Sequence, residues 1–173
     1  MAQPKEVQAF RIVAPQPPDG AVIQRFDKQL MAKGSVRLRP LSVGHGLMFG
    51  YMESAQHIDF GIFTRAPKCV GYVSFSKLHE PVLVDILHDI VKPHAQLLPE
   101  YRGKGVTRNF YLSMLHHGYS LATESHTASA AKLWESLAKE LSITVLHWDK
   151  HLCVWVTKPS ARTLKVLTLK AEL

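Results

Sequence analysis

The stretch QLLPEYRGKGVTRNF, Gln96 to Phe110, constrains this fold more than any other. An apolar strand end runs into a proline, Arg102 and Lys104 alternate with Gly103 and Gly105, and a helical pattern begins at once. Val106, Phe110 and Met114 recur every fourth residue, Tyr111 and Leu115 pair beside them, and Gly118 stands where a left-handed cap ends a helix, so a helix is predicted over Val106 to His117. A glycine turn opening such a helix directs several unpaired N–H groups, and the positive end of the helix dipole, toward one point in space. That is a seat for an anion.

The flanking sequence supplies a sheet for this unit. HIDFGIFTR and CVGYVSFSK are β-branched and aromatic runs separated by Ala66-Pro67-Lys68, which reads as an antiparallel hairpin. FRIVA is a short strand, and Asp19-Gly20 opens a helix in which Ile23, Phe26 and Leu30 form a stripe widened by Val22 and ended by Gly34. No sustained period assigns Ser35 to Ser54. Val82 to Val91 fits a strand or a short buried helix. Pro93 argues against a regular central strand there, so a strand, bulged if continuous, is expected from about His94 to Leu98. YSLATE is a strand. Thr127 or Ser129 can cap a helix carrying Ala130, Leu133, Trp134, Leu137 and Leu141. ITVLHW and LCVWVTK make a second hairpin around Asp149-Lys150, and TLKVLTL alternates as an edge strand. The order predicts an α/β (α+β) domain with a mixed, mostly antiparallel central sheet and helices on both faces, not a doubly wound parallel sheet.

Length and composition fit one domain, residues 1–173, with 46% hydrophobic and 20% charged residues. No run reaches the roughly 18 apolar residues of a membrane span, and MAQPKEVQAF lacks a secretory h-region, so a cytoplasmic protein with no membrane partner is expected. Cys69 and Cys153 lie far apart in apolar runs and read as two buried free thiols. A net charge of +7 favours a polyanionic partner. The cations form no clustered stripe and no recognition motif accompanies them, which disfavours nucleic acid.

Known phosphate patterns narrow the anion. The Walker spacing is absent, and the dinucleotide fingerprint is broken by Arg108 where a third glycine belongs. Among the histidines there is no His-Glu-x-x-His, and His147 and His151 stand across a turn, so no metal is expected. What remains is Arg-x-x-Gly-x-small, with Arg102, Gly105 and Thr107 in its key places. LPEYRGKGV resembles the pyrophosphate loop of the GNAT superfamily of acyl-coenzyme A N-acyltransferases, with Thr107 where glycine or alanine is usual. The clear resemblance covers Leu97 to about Leu141, and HTASAAKLWESLAK is most similar to acyltransferase-like proteins of bacteriophage genomes, which would place the chain in a host cytoplasm.

The resemblance implies a GNAT-like fold and acetyl-coenzyme A as co-substrate. Backbone N–H groups of Gly103, Lys104, Gly105, Val106 and Thr107 would hold its pyrophosphate, with charge from Arg102, Lys104 or Arg108. Main-chain groups of Leu97 and Leu98 would meet the pantetheine arm. The family's thiolate-protonating tyrosine is replaced by Trp134, a wall for the coenzyme or core packing, and its helix-start asparagine by Ser129. Candidates for the base are His94, Glu124 and His126. The implied function is acetyl transfer to a primary amine of a small molecule or protein. The alternative is a weakly active or inactive protein that binds a host protein. A dimer is compatible with either.

Overall fold

The computed structural model describes residues 11–12, 20–32, 39–41, 45–78, 89–140, 142–160 and 163–169. Among the described residues nine strands form one sheet. In chain order they are β2 (Arg39–Pro40), β3 (Met48–Glu53), β4 (His57–Phe63), β5 (Cys69–Lys77), β6 (Ile90–Leu97), β7 (Ser120–Thr123), β9 (Ile143–Asp149), β10 (Val154–Trp155) and β11 (Thr163–Leu169). Across the sheet the order is β10-β9-β11-β7-β6-β5-β4-β3-β2. Every adjacent pair is antiparallel except β6 and β7. A separate parallel pair joins β1 (Arg11–Ile12) to β8 (Ser125–His126). The helices are α1 (Gly20–Met31), α2 (Val106–His116) and α3 (Ala128–Ala138).

Period-two alternation assigns the faces. Val91, Leu121 and Leu167 enter the core beneath α2 and α3, while their neighbours Ile90, Ala122 and Val166 enter a cluster on the opposite face with Trp148 and Leu164. Helix α1 covers that opposite face at β4 and β5, where Phe26 is buried against Phe63, Cys69 and Tyr72. It can approach so closely because Gly61 has no side chain: a Cβ there would lie 2.6 Å from the Phe26 ring. Arg25 adds an ion pair to Asp59 at 2.8 Å. Helices therefore lie on both faces of a mostly antiparallel mixed sheet, as expected.

The predicted hairpin is β4–β5, and α1, α2, β7 and α3 fall where the sequence placed them, with the Thr127 hydroxyl accepting from the Ala130 N–H at 3.2 Å as the α3 cap. Four readings change. Met48 to Glu53, left unassigned, is a strand. TLKVLTL is interior: β11 pairs with β7 on one side and β9 on the other. Cys69 is buried but Cys153 is exposed, because β10 begins only at Val154 and leaves Leu152-Cys153 in the preceding turn. Finally, β6 runs through Pro93 without a break. Gly34, residues 79–88 and Leu141 lie outside the described residues.

Proline is tolerated at 93 for a reason that also creates the site. The Leu98 N–H donates to Val70 O at 2.9 Å, and the Leu78 N–H to Ile90 O at 2.8 Å. With the β5–β6 register this fixes the phase: residues 92, 94 and 96 bond toward β5, and 91, 93, 95 and 97 face β7. The N–H that Pro93 lacks would have pointed at β7. There the ladder stops, with Ile90 opposite Ser120 and Val91 opposite Leu121 as its only pairs.

Candidate functional site

Beyond Val91 the two parallel strands diverge, β6 held by β5 and β7 by β11. The opening is a cavity of about 770 Å³. Pro93, Ala95 and Leu97 line it from one face of β6, and Lys92, His94 and Gln96 from the other, so the cleft passes through the sheet. Its far wall comes from the end of β7 and from α3; its floor is the start of α2.

At that floor the glycine loop takes the shape its sequence demands. Gly103 and Gly105 have φ of 71° and 74°, left-handed values that a side chain would strain. Gly105 is the N-cap of α2 and has no side-chain cap. The first N–H to join the helix is that of Asn109, donated to Gly105 O at 3.0 Å. Among the described residues the N–H groups from Gly103 to Arg108 have no partner, although residues 102–108 all line the cavity. A diphosphate fits this cradle on its chemistry: consecutive free donors, a helix dipole and no carboxylate in the loop.

The three cations differ in role. Arg102 Nε donates to Leu97 O at 2.8 Å and ties the loop to the end of β6. Arg108 is engaged with Glu140 and with Ser136 Oγ, joining α2 to α3. Lys104 Nζ sits 5.1 Å over the Tyr101 ring, the cation of the loop bound to no acceptor within it. Leu97 lines the cavity, whereas Leu98 lies outside the lining and spends its N–H on Val70. By the strand phase, Ala95 also directs its main-chain groups into the split, as does Pro93 with its carbonyl. Ser129 and Trp134 both line the cavity, the first with its hydroxyl 3.1 Å from that of Thr127.

His94, Glu124 and His126 also meet at the cavity, in three different electrostatic settings. Glu124 Oε1 receives Lys92 Nζ at 2.6 Å and Lys150 Nζ at 3.0 Å, bridging the two lips of the split. The Lys92 hydrogen bond, then that of Lys150, holds its carboxyl below the ordinary value. A carboxylate so neutralised is a weak proton acceptor. His126, only 5% exposed, is pushed down to about 4 by burial first and by the Lys165 charge second, with Glu135 opposing. It is a neutral imidazole at neutral pH. His94 is exposed, 5.8 Å from the Tyr72 ring, and its Nε2 lies 3.0 Å from Gln96 Nε2. An amide nitrogen only donates, so His94 Nε2 accepts and Nδ1 carries the proton.

Sequence reasoning missed Lys92, Ala95 and Tyr111 as lining residues. Tyr111 was visible only as part of the apolar stripe of α2. Lys92 becomes legible once the strand is known to continue through Pro93. Among the described residues no helix is long and apolar enough to cross a membrane, and no three His, Cys, Asp or Glu side chains gather to hold a metal.

No protein-family model matches the chain, and no curated protein matches it. Solved structures do. A spermidine N-acetyltransferase SpeG chimera from Vibrio cholerae and hSSAT is similar with 15% identity and a TM-score of 0.40, over 67% of this chain and 68% of that one. Spermidine N-acetyltransferase from Vibrio cholerae in complex with CoA and spermine gives 14% and 0.38, over 65% and 64%. A GNAT superfamily phosphinothricin acetyltransferase from Sinorhizobium meliloti in complex with AcCoA gives 13% and 0.38, over 64% and 59%. Likeness this distant carries no inference about chemistry.

Proposed function

We propose that the chain is an acyltransferase that moves an acetyl group from acetyl-coenzyme A to a primary amine of a small molecule or protein. One observation carries the reading: a sheet split open at Pro93, with a cradle of unpaired N–H groups, begun by two left-handed glycines, at its floor. The cradle residues Gly103 to Thr107 hold the diphosphate, Lys104 adds charge, and the open main-chain groups of Ala95 together with the Leu97 N–H receive the pantetheine amides as an added strand would, the Leu97 carbonyl being held by Arg102. Bound there, the thioester supplies an activated acyl group. His94, on the face of the sheet that carries α1, takes the proton that the amine loses, after its Nε2 lone pair is released by Gln96.

Calorimetry tests the first half: acetyl-coenzyme A binds the parent protein, and Lys104→Glu weakens it by about tenfold, the loss of one charge-assisted contact. A thiol-release assay against mixed amines tests the second. Absence of binding refutes the proposal outright. A second reading, a GNAT-like protein that binds a host protein and turns over little, is favoured by one feature: Glu124 is consumed by two lysines. Binding without turnover selects it.

A further inference from the structure

One layer of charged side chains borders the cleft on the sheet face that carries α1. Ile90 of β6, Ala122 of β7 and Trp148 of β9 are buried in a single cluster on that face. Two residues further along each chain, on the same face by alternation, stand Lys92, Glu124 and Lys150. They meet: Glu124 Oε1 receives Lys92 Nζ at 2.6 Å and Lys150 Nζ at 3.0 Å. Such a layer covers the apolar cluster beneath it, but a cover needs no surplus charge. Here one carboxylate answers two ammoniums, each of which can donate to two further acceptors. A single added carboxylate would make the layer neutral.

The position of the layer says which reactant would bring that carboxylate. Lys92, Glu124 and His94 all line the cavity. His94 follows Lys92 on the same face of β6, two residues or about 6.6 Å along the strand. The glycine loop at the cavity floor has its own free cation in Lys104, so the diphosphate makes no call on Lys92 or Lys150. The acids of the α1 face are meanwhile engaged. Besides Glu124, Asp59 is held by Arg25 and Ser74, and Asp27 Oδ1 accepts the Cys69 N–H at 3.1 Å. The cross-strand neighbours of Lys92, which are Ser76 and then His57, add no negative charge. A second ammonium arriving on this face would meet cations first, and an anion would meet two donors.

We propose that Lys92 and Lys150 seat a carboxylate, and that the acceptor is a small amino acid whose primary amine lies at His94 while its carboxylate lies between the two ammoniums. This rests on the acyl-transfer reading. The neutral amine nitrogen bonds to the acyl carbon, one of its protons passes to His94, and the carbon–sulfur bond breaks with its electron pair on sulfur. The sulfur takes a proton from solvent, and His94 returns its own there. The acceptor's carboxylate changes no bond: it holds the amine in place and selects against diamines.

The test uses the full chain with acetyl-coenzyme A and linear amino acids of two to six carbons, each set beside its amide and the diamine of the same length. At the best length, kcat/KM for the amino acid should exceed that for its amide by at least about tenfold, mostly through KM, with the diamine lower still. Lys150→Gln leaves one ammonium for one carboxylate and should bring the ratio of amino acid to amide to within about threefold of one. Lys150→Glu leaves an excess of negative charge and should place the diamine above the amino acid, a gain that a misfolded variant cannot produce. A parent that acetylates the amide or the diamine as well as the amino acid, or a preference that does not move along the Lys150 series, overturns this inference and leaves the acyl-transfer reading standing. So does a parent that binds acetyl-coenzyme A and acetylates only amines without a carboxylate, or no member of the panel. Failure of the parent to bind acetyl-coenzyme A overturns both.

Discussion

His126 gives the sharpest test of the electrostatics around the cleft. Its imidazole stays neutral in the folded protein down to about pH 4, whereas an unfolded histidine titrates near 6.5. Between those values the unfolded chain binds the extra proton, so stability falls as pH drops through the window and is unaffected above it. Lowering the pH from 6.5 to 4.5 crosses 2.0 of the 2.5 units, a ceiling of about 2.7 kcal/mol at about 1.36 kcal/mol per unit. One edge of the ring borders the open cavity, where water screens it, so about half of that, roughly 1.4 kcal/mol, is expected. For a chain of this size that is a fall of about 3–6 °C in melting temperature. Glu124 and Glu53, both held low by their lysines, lose their contribution only as the pH falls below the ordinary carboxylate range, outside the window. His147, lowered by burial and by Lys165, acts in the same direction as His126, so the comparison must be with His126→Phe. That variant keeps a ring against Trp134 and cannot take a proton. Scanning fluorimetry from pH 7.5 to 4.5 should show the parent's curve steeper by the stated amount. A constant offset between the two would report only a lost contact, and parallel curves refute the reasoning.

Gly105→Val places a β-branched side chain at φ 74° and should cost about 1–2 kcal/mol, about 2–8 °C by fluorimetry, while weakening acetyl-coenzyme A in calorimetry by at least about tenfold; unchanged affinity would separate the cradle from the ligand. Gly61→Val drives Cβ into the Phe26 ring and should destabilise by about 1–3 kcal/mol in urea; a variant as stable as its parent means α1 does not pack on β4 as described. Lys92→Gln with Lys150→Gln frees Glu124, whose carboxyl pKa, followed by NMR, should rise toward the ordinary value; a value still held low would point to some other cause.

How far the sequence carried depends on whether the deciding contact is local. Hairpin β4–β5 and the stripe of α2 were legible because each is set by residues close in the chain. The place of β11 was not, since alternation in TLKVLTL reports two faces and says nothing about neighbours. Lys165 in its middle looks like the charge that guards an edge, yet here it is half-buried, close enough to His126 to depress that imidazole. Tyr111 shows the same limit at the site. Its spacing announced burial, correctly, but a place in the cavity wall is a property of the assembled fold. Arg102 was read as charge for a ligand; the structure adds that its Nε is bonded to the carbonyl that ends β6, a contact no local pattern announces.

Pro93 is the instructive misreading. The rule that proline breaks a central strand rests on one missing N–H, and that donor is missed only on the side where a neighbour waits to bond it. The register puts that side toward β7, so β6 loses nothing to β5 and runs its full length, while the parallel ladder ends two pairs after it began. What the sequence reading took as an interruption of structure is an interruption of pairing. From it follow the open main-chain edge at Ala95 and the passage of the cleft through both faces of the sheet. A proline one residue earlier or later would have faced β5, costing the ladder that holds β6 in place and opening no cleft.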